Sequence, residues 1–162
     1  MADGPLPVEE LASAPTPRYP ASAVWANEIE LLGFDTARVG TSRYQVEIYF
    51  KCLSQPTDAY ALTFHLQPAN DAVLTTKVPL AAPKMEALMW DCIPAPATNT
   101  WQAGKFYRLV RVGTVPPDGW SWAIAVGFYR AANGQVLELK KRTDGREPDQ
   151  VVLMTRSDFG FD

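Results

Sequence analysis

The chain has 162 residues, 47% of them hydrophobic and 20% charged, a balance that fits one domain with a sizeable core and argues against disorder. Its net charge of −3 leaves no basic footprint for a nucleic acid. No run reaches the roughly 20 apolar residues of a membrane-spanning helix, and MADGPLPVEELASAPTPRYPAS lacks the basic start and apolar centre of a secretory signal. The expected chain is soluble, with no span of its own and its compartment open.

Residues 1–21 are rich in Pro, Ala and Glu without periodicity, which predicts an extended or disordered N-terminal arm. VEELASA could form one helical turn before Pro15 stops it. From Trp25 the pattern becomes strand-like. NEIELLGF reads as a strand with a bulge or bend at Gly33. In RYQVEIYFKCL, Tyr44, Val46, Ile48, Phe50 and Cys52 share one face, with Gln45, Glu47, Tyr49 and Lys51 on the other. AYALTFHLQ repeats the alternation, with Tyr60, Leu62, Phe64 and Leu66 inward and His65 outward. PAND is a turn and AVLTTKVPL a shorter strand, so three strands form a meander.

KMEALMWD has helical propensity, but Pro83, Pro94 and Pro96 leave room for about two turns, and an irregular crossover fits equally. WQAGKFYRLVRVGTV then gives a strand after Gly104, and PPDG a turn. GWSWAIAVGFYRAANGQVLELKKR sets Trp120, Trp122, Ile124, Val126 and Phe128 on one face. Asn133–Gly134 predicts a type I′ hairpin. VVLM adds an edge strand, and 157–162 form a tail. The expectation is all-β: an antiparallel two-sheet β-sandwich of about eight strands, jelly-roll or Ig-like, over residues 22–156.

Cys52 and Cys92 lie in apolar surroundings and read as buried free thiols, with a disulfide the alternative in an oxidising compartment. His65 is the sole histidine, outside any G-x-S-x-G context, and reads as a structural hydrogen-bonding residue. No spacing of His, Cys or carboxylates suggests a metal. The expectation is therefore no catalytic residue, no cofactor and no metal site. Aromatics are the class in excess. Trp101 and Trp122 read as core. Trp25, Tyr49, Tyr107 and Trp120 are the candidate partner or ligand contacts, the tyrosines because alternation points them away from the core row.

The strand order, with DAYALTFHL, TWQAGKFY, PPDGWSWAIAVGFY and ANGQVLEL in succession, resembles the β-sandwich domain that accompanies bacterial membrane glycosyltransferases of the dolichyl-phosphate-mannose type. The matching positions are Asp58, Tyr60, His65, Leu66, Trp101, Gly104, Pro116, Pro117, Val126, Gly127 and Tyr129, within residues 25–139. The resemblance implies a fold, and a carbohydrate-rich or membrane-proximal setting on the extracytoplasmic face. It implies no transferase activity, since the transferase portion is missing. Two readings follow: a non-catalytic accessory or structural subunit docking on a larger, membrane-associated protein assembly, or a carbohydrate-binding module using exposed tryptophans.

Overall fold

A computed structural model of the protein describes residues 2–39, 43–68, 89–114, 122–142 and 151–155. Ten strands occur among them: β1 (Ala2–Leu11), β2 (Tyr19–Trp25), β3 (Ile29–Val39), β4 (Arg43–Cys52), β5 (Tyr60–Pro68), β6 (Met89–Ala95), β7 (Phe106–Thr114), β8 (Trp122–Arg130), β9 (Leu139–Arg142) and β10 (Val151–Thr155). The described residues hold no α-helix, and one 3-10 turn at Thr98–Thr100. The fold is all-β.

The strands hydrogen-bond in the order β10-β8-β5-β6-β1-β7-β4-β3-β2-β9. The far ends of this order approach each other. β9 pairs with β2, while the segment just before it bridges β8 through Tyr129–Val136 and the Leu137 N–H to the Phe128 carbonyl. The sheet is thus nearly closed into a barrel. The expected all-antiparallel pairing needs correction, because β1 runs parallel to β6 and antiparallel to β7. The reason is topological. A strand inserted between two consecutive strands of opposite direction must run with one of them.

The stretch expected as an arm supplies β1, which pairs through residues 2–7 with β6 and through residues 8–11 with β7. Residues 12–18 then carry the chain to β2, whose Tyr19–Trp25 pairs with β3. The run MWDCIPA, left open between helix and crossover, is strand β6. VVLM lies in β10 beside β8, as expected of an edge strand. The turn PAND beyond Pro68, AVLTTKVPL, KMEAL, PPDG and the tail lie outside the described residues.

Period-two alternation puts Val46, Ile48, Phe50 and Cys52 of β4 in the core, each apolar side chain contributing ~1.5–3 kcal/mol by leaving water. One continuous row crosses five strands: Val8, Leu109, Ile48, Phe34 and Tyr19 are successive Cα partners on β1, β7, β4, β3 and β2. From the other side Phe128 of β8 meets Trp25 edge-on at 5.2 Å and Phe50 at 5.4 Å between ring centroids. These aromatic contacts join distant strands of the order into one core.

Two turns set the geometry. Ala26 and Asn27 both have positive φ, 54° and 58°, and the Glu28 N–H bonds the Trp25 carbonyl, setting a turn of the type I′ pattern within the three-residue connection 26–28 between β2 and β3. The Asn133–Gly134 hairpin differs from the expected type I′. Only Gly134 has positive φ, and the Gly134 N–H bonds the Arg130 carbonyl, giving a four-residue loop from Ala131 to Gly134. The Asn133 side chain instead accepts the Gln135 N–H at 2.9 Å, which holds its own backbone out of the left-handed region.

Candidate functional site

On the outer face of the sheet, alternation leaves a connected polar ladder. β7 turns Tyr107 and Leu109 to the core, so Arg108, Val110 and Val112 face outward. Arg108 is the Cα partner of Glu9 on β1 and of Tyr49 on β4. Its guanidinium therefore reaches both sides: Nη2 donates to Glu9 Oε2 at 2.6 Å and Nη1 to Glu47 Oε1 at 3.2 Å. Nε is buried without an acceptor among the described residues.

The ladder continues to β3. The Tyr49 hydroxyl lies 2.8 Å from Asp35 Oδ2 and 3.1 Å from Glu47 Oε2. It has one proton for two carboxylates. The shorter contact makes Asp35 its acceptor, and Glu47 is compensated by Arg108 and by Gln45 Nε2 at 3.5 Å. Asp35 Oδ1 also accepts the Arg18 N–H at 2.6 Å, which anchors the crossover segment 12–18 on this face. Burial, followed by the bonds to Asp35 and Glu47, pushes the Tyr49 hydroxyl well above the usual phenol range.

Beside the ladder is a shallow groove of about 280 Å³ lined by Pro7, Val8, Glu9, Arg108 and Val110. Val112, two residues beyond Val110 on the same face of β7, is 43% exposed. The groove therefore has an apolar lining, a charged pair at its side and an apolar residue at one end.

A second polar cluster closes one end of the barrel. The buried Glu28 carboxylate accepts the Tyr60 hydroxyl, which also lies 3.1 Å from Thr57 Oγ1. Arg130 stacks over the Tyr60 ring and pairs with Asp58 at 3.1 Å. Thr98 Oγ1 accepts the Tyr60 N–H and donates to the Asp58 carbonyl. Each polar atom named here has a partner inside the fold, which makes the cluster a support for the loops.

The residues expected as partner contacts are not brought together on one surface. Trp25 is 0% exposed and packs on Phe128. Tyr107 is 2% exposed and shares the core face with Leu109, opposite to the face expected, stacked on Trp101 at 4.4 Å. Its hydroxyl accepts the Gln102 N–H at 2.9 Å and donates toward Glu10. Tyr49 does lie on the outer face, yet only 7% exposed. Trp120 lies outside the described residues. Trp101 is in the core, as expected, and Cys52 and Cys92 are buried thiols that form no disulfide with each other. His65 belongs to β5, opposite Met89 and Ala125.

Sequence reasoning missed Glu9, Asp35 and Arg108. Glu47 was legible as outward on β4, but an outward Tyr107 turns Arg108 inward on β7, and pairing the two needs the register between β4 and β7. No group of three or more His, Cys, Asp or Glu side chains is placed to hold a metal among the described residues. No family model, curated protein or solved structure matches this chain.

Proposed function

We propose that the protein is a non-catalytic accessory or structural subunit that docks on a larger protein assembly through the outer face of β1 and β7. The observation that carries this reading is the groove. Its apolar lining of Pro7 and Val110, flanked by the Glu9–Arg108 pair and extended by Val112, has the chemistry of a protein contact. Apolar area supplies affinity there and a charged rim sets orientation.

On the same reading, β1 is the seam of a two-sheet, jelly-roll-like sandwich. Strands β6, β5, β8 and β10 form one layer and β7, β4, β3, β2 and β9 the other, with Trp25 meeting Phe128 between them. The resemblance in strand order makes a membrane-bound glycosyltransferase assembly the first class of partner to test.

The experiment is in-cell cross-linking and affinity purification of the tagged chain, its Val112→Asp variant and a Val136→Asp control on another exposed apolar residue. The expected result is a stoichiometric partner, in the membrane fraction, kept by the control and lost by Val112→Asp. A wild-type chain that retains no stoichiometric partner rejects the reading.

A further inference from the structure

We propose that β1 is an exchangeable strand, and that residues 2–11 of one copy occupy the same slot in a second copy of this chain. This inference does not rest on the docking reading. β6 and β7 follow each other in the chain, yet β1 lies between them. Withdrawing β1 strips two successive stretches of edge of their partner, β6 along 91–95 and β7 along 106–109, and leaves their N–H and C=O groups unpaired. Such a slot demands a strand, and residues 2–11 match it.

The slot is matched to residues 2–11 at each described level. Its β6 side takes Pro5, Leu6 and Pro7 opposite Ile93, Pro94 and Ala95, and its β7 side takes Val8 to Leu11 opposite Leu109 to Phe106. Leu6 and Val8 pack against the core, Glu9 meets Arg108 and Glu10 meets the Tyr107 hydroxyl. None of these contacts depends on which copy supplies the strand. A second copy of this chain is therefore a partner whose fit to the slot is already known, residue by residue.

The tether decides whether exchange is accessible. Leu11 and Val24 lie in one cross-strand row and Val8 and Tyr19 in another, so β1 and β2 run in the same direction, four strand spacings apart. Residues 12–18 must return diagonally from the end of β1 to the start of β2. With strands ~4.8 Å apart and a return of ~10–16 Å along them, the span is ~21–25 Å in a flat sheet. The eight Cα steps from Leu11 to Tyr19 reach at most ~26–29 Å. The tether is close to taut, carries Pro15 and Pro17, and pairs with no strand. A short, stiff tether gives little slack for closing on its own slot and favours reaching a neighbour's.

The test is the deletion of Ala12–Pro15, which leaves four Cα steps, ~13–14 Å, too short for the molecule's own slot. Pro17 and the Arg18 anchor are retained. Light scattering should show a doubled mass with unchanged far-UV dichroism, while a chain lengthened by a Gly/Ser insertion after Ala14 stays monomeric. A folded monomer after the deletion overturns the proposal. The full-length chain gives an independent readout, since Glu9 and Arg108 are Cα partners. Glu9→Cys and Arg108→Cys chains, unfolded together and refolded at high concentration, should be joined by a short bis-maleimide about tenfold more than a Glu9→Cys and Val136→Cys pair, because a shared ladder raises the local concentration. The native thiols, 0% and 1% exposed, do not compete. Equal yields from the two pairs also overturn it.

Discussion

The Tyr19 carbonyl oxygen stands 2.5 Å from the place a Cβ on Gly33 would occupy, and the Pro17 Cβ 2.8 Å from it. Gly33 also has φ of 149° and marks the register shift between β3 and β4. The crossover and the start of β2 settle on β3 because residue 33 has no side chain. Gly33→Ala is expected to cost ~3 kcal/mol or more, since backbone would have to move. Urea unfolding measures it, and a change below 1 kcal/mol would show that β2 can shift freely.

Tyr49→Phe should cost ~1–2 kcal/mol, as Asp35 loses its hydroxyl donor while still accepting the Arg18 N–H. The pH dependence has a definite sign. Burial first, then the neighbouring carboxylates, raise the native Tyr49 hydroxyl above its unfolded value, and burial raises Tyr60 and Tyr107 likewise. Their contribution is complete below pH ~10, where unfolded tyrosine is still protonated, and is lost as pH rises beyond it. Stability should therefore fall in alkali, and fall less steeply in Tyr49→Phe. A pH-independent difference between the two proteins would refute the assignment.

The Glu28–Tyr60 bond lies inside the barrel end, so removing one partner strands the other. Tyr60→Phe should cost ~1.5–3 kcal/mol, the range for a hydrogen bond to a charged group. Adding Glu28→Leu should recover ~1–2 kcal/mol of that loss, because the stranded carboxylate goes with it. A double-mutant cycle by thermal melting measures the coupling, and strictly additive losses would contradict it.

The β2–β3 turn offers a cleaner backbone test. Asn27 at φ 58° tolerates the left-handed region better than most residues. Asn27→Gly should add ~0.5 kcal/mol, and Asn27→Val should subtract ~1–2 kcal/mol. The two melting temperatures should move in opposite directions.

The legible part of the fold was the part with two unlike faces. β4 declared itself because Val46, Ile48, Phe50 and Cys52 alternate with Gln45, Glu47 and Lys51. β7 did not, because Phe106, Val110 and Val112 are as apolar as Tyr107 and Leu109, so either phase satisfies the pattern and Tyr107 was placed on the wrong face. The Ala26–Asn27 turn was hidden by the absence of glycine. β1 carries two prolines and an acidic pair, and its reason to be a strand lies about a hundred residues away in β6 and β7. The polar ladder was invisible for the same cause: its members sit on four strands, and only their register brings them together.

The split ladder of β1 also has a consequence in time. Residues 2–11 are synthesised well before their partners, which span 91–95 and 106–109. At synthesis rates of ~5–20 residues per second, the strand waits ~5–20 s for its slot to exist. During that interval Leu6 and Val8 have no core to join, and the loop closed on docking is among the longest in the chain, with the slow, entropically costly closure that implies. β1 is therefore expected to dock only after β6 and β7 have been made, later than the local β3–β4 pairing.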